Sequence, residues 1–132
     1  MKPVFVDTGA WYALMNRHDA HHEAAAGFLA ECSRPLISTN YVAVETVNLL
    51  NARAGHGAAL RFLELVSASG MLTVHHVSTE DHARAQAYFK RHADKDWSLT
   101  DCSSFQVMQA LGITEAFTFD KHFYQAGFSR VP

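Results

Sequence analysis

Residues 98–123 read SLTDCSSFQVMQALGITEAFTFDKHF, and this run decides the fold class. Ser98-Leu99-Thr100-Asp101 has the Ser/Thr-x-x-Asp/Glu form of a capping box, in which a hydroxyl and an acid three residues later close the first turn of a helix. Phe105, Met108 and Leu111 follow at helical spacing, and Gly112 ends the helix. Residues 116–119 are then a short β-rich run that stops at Asp120. A short helix is expected over 120–126 and a last edge strand over 128–131. A capped helix feeding a strand that ends in an acid is the repeating unit of an α/β domain.

The same alternation extends back to the N-terminus. Val4-Phe5-Val6 is an apolar run interrupted by Asp7. Residues 8–16 and 19–33 read as helices, the second carrying a stripe of Ala24, Ala25, Phe28, Leu29 and Cys32. Residues 35–38 are a second strand. Residues 40–54 form a helix that is apolar almost all round and is therefore expected to be buried. Residues 56–69 form another, with Leu60, Leu63 and Val66 on one side and Gly70 as its stop. A strand over 71–77 leads to an amphipathic helix over 79–93, centred on Ala83, Ala87, Phe89 and Lys90, and then to a polar loop over 92–97. The prediction is one α/β domain over residues 1–132, a mostly parallel sheet with helices on both faces.

Four acids stand out in this frame. Asp7 ends the first strand and Asp120 the strand over 116–119, where either would serve as a helix N-cap. Asp101 starts the helix feeding that later strand. Glu45 lies in mid-helix, where no cap is needed, with Tyr41 four residues before it and Leu49 four after. A carboxylate on such a stripe is costly unless a cation or donors satisfy it. In open parallel sheets ligands bind outside the carboxyl ends of the strands, so all four acids are expected at one sheet edge. Packed together without cations they could not all ionise. A divalent ion resolves that conflict, and oxygen ligands suit Mg²⁺ or Mn²⁺. The chemistry that follows is phosphodiester hydrolysis. No GxSxG elbow and no phosphate-cradling glycine loop competes with it.

The same positions carry a family resemblance over essentially the whole chain. Val6-Asp7-Thr8, Glu45 within residues 40–45, Trp97-Ser98-Leu99-Thr100-Asp101-Cys102, Phe117-Thr118-Phe119-Asp120-Lys121-His122-Phe123 and the trailing Gly127-Phe128 resemble the motifs of PIN-domain nucleases. The resemblance implies a PIN-like three-layer α/β/α sandwich and a metal-dependent endoribonuclease. Acids equivalent to Asp7, Glu45, Asp101 and Asp120 would be catalytic and would hold Mg²⁺ or Mn²⁺. Asp96 is a possible fifth acid, and Thr8 and Thr118 are supporting hydroxyls that orient carboxylates. A single domain of this size is similar to the VapC toxins of type II toxin–antitoxin systems. That implies a homodimer, an RNA substrate of the tRNA or rRNA kind, and silencing by a VapB-type antitoxin. The helices between Asn40 and Ser69 are the expected dimer face. The alternative is a catalytically silent PIN-fold module acting through a protein partner.

Composition narrows the partners. A net charge of −2 excludes a generic polybasic nucleic-acid binder and leaves room for a local basic rim. Lys95 and Lys121 rank first for it, ahead of Arg17, Arg53 and Arg91. Cys32 and Cys102 form neither a CxxC nor a zinc spacing and read as buried thiols in a reducing cytoplasm. No uncharged run reaches the roughly 18 residues needed to span a membrane, and no secretory segment is expected, so the protein reads as soluble and cytoplasmic. Of nine histidines, His18 and His22 lack a third ligand, adjacent His75 and His76 point to opposite faces, and His122 reads as a surface residue. Trp11 and Tyr12 read as core or groove wall. A receiver-type phosphate switch would want paired acids after the first strand, and a haloacid-dehalogenase phosphatase an acid at position 9, where the chain has Gly9.

Overall fold

The chain alternates strand and helix in the order β1 (Val4–Val6), α1 (Thr8–Met15), α2 (His22–Glu31), β2 (Leu36–Thr39), α3 (Asn40–Arg53), α4 (His56–Ala68), β3 (Leu72–His75), α5 (Thr79–Arg91), α6 (Leu99–Leu111), β4 (Glu115–Phe117), α7 (Lys121–Gln125) and β5 (Ser129–Val131). These elements come from a computed structural model, which describes residues 2–132. The strands form one five-stranded parallel sheet in the order β3-β2-β1-β4-β5, flanked by the helices. Phe5 pairs with Ile37 on one side and Ala116 on the other, so β1 is central. Val4, Phe5 and Val6 are all fully buried, as a strand covered on both faces must be. The strand order reverses direction between β1 and β4. That boundary is the topological switch point, where the loops leaving neighbouring strands part and leave a crevice.

Aromatic side chains tie the core together. Trp11 meets Phe62 edge-on at 5.4 Å, while Phe105 packs edge-on against Trp97 at 5.1 Å and Phe123 at 4.9 Å. Edge-to-face contact of this kind adds to simple area burial. Trp97 is buried and stacks on Tyr88 at 5.8 Å with a 3° interplanar angle, so the segment expected to be a polar loop anchors α5 to α6.

Several expected faces differ. The helix over Asn40–Arg53 is not buried all round: Val42, Thr46 and Leu50 are its buried residues, Ala43 and Val47 pack half-buried against the core, and Val44 is 60% exposed. Alanine and valine hide the polar side of this helix in a composition reading, because they cost little when exposed. Phe62 with Ala58 and Ala59 forms the inner face of α4, and Leu60 and Leu63 lie exposed on the helix surface. Ala85, not Ala83, Ala87 or Phe89, is the buried residue of α5. Leu111 projects outward at the end of α6. The second helix starts at His22, because Asp19 closes a turn first: its Oδ1 accepts from the His21 N–H at 2.8 Å. Cys102 is buried but Cys32 only half-buried, and both are free. Among the described residues no helix is long and apolar enough to cross a membrane.

Candidate active site

Asp7 leaves β1 at the switch point and is buried. Its N–H donates to the Phe117 carbonyl at 3.1 Å, which fixes it against β4. Its Oδ1 accepts the Thr8 N–H at 2.7 Å and caps α1, while its Oδ2 accepts the Thr118 hydroxyl at 3.0 Å. Those two donors do not offset the surroundings. Burial, then the neighbouring Asp101 and Asp120, push the Asp7 carboxyl up to about 7.

Asp101 is held by the capping box expected from the sequence. Its N–H donates to Ser98 Oγ at 2.9 Å, and its Oδ2 accepts the Ser98 N–H at 3.1 Å. Burial raises this carboxyl too, and Asp120 adds to the rise against the pull of the Ser98 N–H and His122. Asp120 caps α7, with Oδ1 accepting the His122 N–H at 3.0 Å, and its own N–H donates to Thr118 Oγ1 at 3.0 Å. Thr118 therefore links the Asp7 carboxylate to the Asp120 backbone. Thr8 acts differently: its backbone N–H makes the bond to Asp7. Its buried hydroxyl has no hydrogen-bond partner among the described residues.

His122 is the largest departure at the site. It was expected on the surface, yet its Nδ1 lies 3.1 Å from Oδ2 of both Asp101 and Asp120. Ligand atoms of Asp101, Asp120 and His122 all fall within 4.8 Å of one another. The available signal was position: two residues after an N-capping acid, a side chain can fold back over the cap.

Glu45 reaches the same cleft from α3. Thr39 caps that helix by accepting the Val42 N–H at 3.1 Å, which sets its phase so that Val42, Thr46 and Leu50 turn inward. Glu45 and Leu49 are left on the cleft side, and Glu45 is exposed rather than set in a buried stripe. A cleft of about 680 Å³ is thus lined by Asp7, Glu45, Asp101 and Asp120, with Tyr12 on its wall. Asp96 is exposed and does not line it. Of the cations, Arg53 and Lys121 line the cleft, and so does Arg130, which sequence reasoning missed. Lys95 instead pairs with Asp94 at 3.7 Å. His22 Nδ1 sits 2.8 Å from the Ala13 carbonyl and His18 is exposed, away from the acids.

This geometry suits a hard divalent cation. An Asp7 carboxyl pushed up to about 7, an imidazole 3.1 Å from both Asp101 and Asp120, and an orphaned Thr8 hydroxyl beside Asp7 together form an oxygen-rich donor set.

Comparison with known proteins gives the family. The PIN domain family model matches residues 4–129. Over 128 residues, 97% of each chain, the sequence is 38% identical to the 23S rRNA-specific endonuclease VapC20 of Mycobacterium tuberculosis. The chain belongs to the VapC family of PIN-domain proteins. The crystal structure of M. tuberculosis VapC20, described as a Sarcin-Ricin loop cleaving toxin, matches this VapC-family fold with a TM-score of 0.90 and 37% identity over 95% of each chain. FitAcB from Neisseria gonorrhoeae shares the fold at a TM-score of 0.65 and 13% identity, covering 98% of this chain and 96% of that one.

Proposed function

We propose that this VapC-family chain, a single domain over residues 1–132, is a Mg²⁺- or Mn²⁺-dependent endoribonuclease. It acts on ribosomal RNA as a toxin restrained by a VapB-type antitoxin in the cytoplasm. The observation that carries this reading is the convergence of Asp7, Glu45, Asp101 and Asp120 on one cleft at the switch point, with Asp7 driven to about 7 by burial and its acidic neighbours. Asp7, Glu45, Asp101 and Asp120, which line the cleft together, would hold the ion. A bound divalent cation supplies charge neutralisation for the phosphate and a more acidic water. Thr118 orients Asp7 and Asp120, and His122 keeps the Asp101 and Asp120 carboxylates together. Arg53, Lys121 and Arg130 offer the RNA backbone positive charge at the rim.

The ribosomal substrate follows from the likeness to VapC20, as does the toxin role that calls for an antitoxin. A homodimer is supported by the exposed Leu60 and Leu63 on α4 and Val44 on α3. Calorimetry with Mn²⁺ tests the site: the unsubstituted protein should bind, and Asp101→Asn should weaken binding at least about tenfold. No binding by folded protein would favour a silent PIN-fold module acting through a partner.

A further inference from the structure

Next to the acid cleft lies a second cavity of about 830 Å³ that the proposed chemistry does not use. The two share His21, Phe119 and Arg130 as a common wall. At that wall the imidazole of His21 lies flat on the Phe119 ring, with centroids 4.4 Å apart and planes inclined by only 6°. His21 is nevertheless exposed, so one face of its ring rests on Phe119 while the other is open. Both partners are held in place. Asp19 pins the His21 backbone through the 2.8 Å bond to its N–H, and Phe119 packs edge-on against buried Phe117 at 6.0 Å. Tyr124 also lines the cavity and is 70% exposed, an aromatic left outside the core. Gly127, at φ 97°, makes the turn from α7 into β5 and so brings Arg130 to the shared wall.

We propose that this second cavity binds an unpaired nucleobase of the RNA, next to the phosphate held over the acids, with His21 on Phe119 and Tyr124 as its stacking surfaces. The inference rests on the ribonuclease reading and adds a base-binding subsite to it. Single-stranded RNA is recognised by bases stacked on aromatic or histidine planes, with cationic side chains following the backbone. A rigid, open-faced ring pair beside an arginine and contiguous with a phosphate-handling cleft supplies both elements. A cavity of this size accepts one nucleotide. Arg130 is positioned on the boundary, where the backbone would pass from one cavity to the other. His21 and Tyr124 then select for an extruded base rather than for a duplex.

The test uses Asp7→Asn protein with Mn²⁺ and, in parallel, unsubstituted protein in EDTA, so that RNA is bound without being cut. The probe is a fluorescein-labelled ten-nucleotide single-stranded RNA, with an abasic ribose-phosphate chain of equal length beside it. His21→Ala and Tyr124→Ala should each weaken binding of the base-containing RNA by roughly 5- to 20-fold. His21→Phe should keep it, and the abasic chain should bind weakly and ignore all three substitutions. Affinities within twofold of the parent for both alanine variants, equal binding of the two probes, or no RNA binding in either format would overturn the proposal. A surface serving only a protein partner would give the first of these results. Cleavage of total RNA by the unsubstituted protein is scored separately: cleavage without the stacking effect sinks the base subsite alone, and the stacking effect without cleavage sinks the nuclease alone.

Discussion

Replacing Asp7 with asparagine should stabilise the cation-free protein. The Asp7 carboxyl is buried, and its pKa stands at about 7 against an ordinary 3.8. Below pH 3.8 it is protonated in both the folded and unfolded chain, so it has no effect on stability. Between that pH and about 7 the unfolded chain releases the proton and the folded chain retains it, so stability falls as pH rises. Above about 7 the deficit is constant. A shift of this size corresponds to a ceiling of roughly 4 kcal/mol. Asparagine preserves the acceptor for the Thr8 N–H, but its amide nitrogen cannot accept the Thr118 hydroxyl, which offsets about 1 kcal/mol. Relaxation of Asp101 and Asp120 reduces the gain further. A net gain of about 1–2 kcal/mol raises the Tm by roughly 3–8 °C for a chain of this length. Thermal melts in EDTA at pH 8 should show that rise, and melts at pH 4 should show the difference vanish or reverse. Added Mn²⁺ should narrow the gap at pH 8, since the unsubstituted protein gains more from binding. An Asp7→Asn protein no more stable than its parent at pH 8, or a difference identical at both pH values, would refute the reasoning.

Two further outcomes follow from the geometry. Leu63→Glu, on the exposed face of α4, should convert a dimer to a monomer on size exclusion while leaving the circular dichroism spectrum unchanged; an unmoved dimer peak would place the interface elsewhere. His122→Ala removes the imidazole 3.1 Å from both Asp101 and Asp120 and should lower Mn²⁺ affinity by about 10- to 100-fold, and an unchanged affinity would make the histidine a bystander.

Asp7, Asp101 and Asp120 were legible because each sits on a local signal. Asp101 belongs to a capping box, Asp7 and Asp120 follow short apolar runs, and the parallel sheet brings strand ends to one edge. Capping and site chemistry also share residues here: Oδ1 of Asp7 and Asp120 caps a helix, leaving Oδ2 toward Thr118 or His122. Glu45 was found for a reason that only half holds, since its helix turns that side to the cleft and not to the core. What stayed hidden depends on tertiary juxtaposition. Arg130 reaches the cleft because β5 pairs in parallel with β4, a register no local pattern in a three-residue strand encodes. His21 and Phe119 lie 98 positions apart in sequence, and nothing at either position foretells their stacking. The inner faces of α4 and α5 were not singled out in the sequence, because Ala58, Ala59 and Ala85 form much of them and alanine carries little signal in a hydrophobic pattern.

RNA cleavage by the purified protein is the most direct test of the claim that four carboxylates hold a divalent ion to cut RNA. Protein freed of any antitoxin would be incubated with ribosomes and with total RNA in Mg²⁺ or Mn²⁺, beside samples containing EDTA or Asp7→Asn protein. The account predicts discrete ribosomal RNA fragments that disappear in both controls. Fragments that persist in EDTA or with Asp7→Asn, or no cleavage of either substrate by folded protein with either metal, would contradict it.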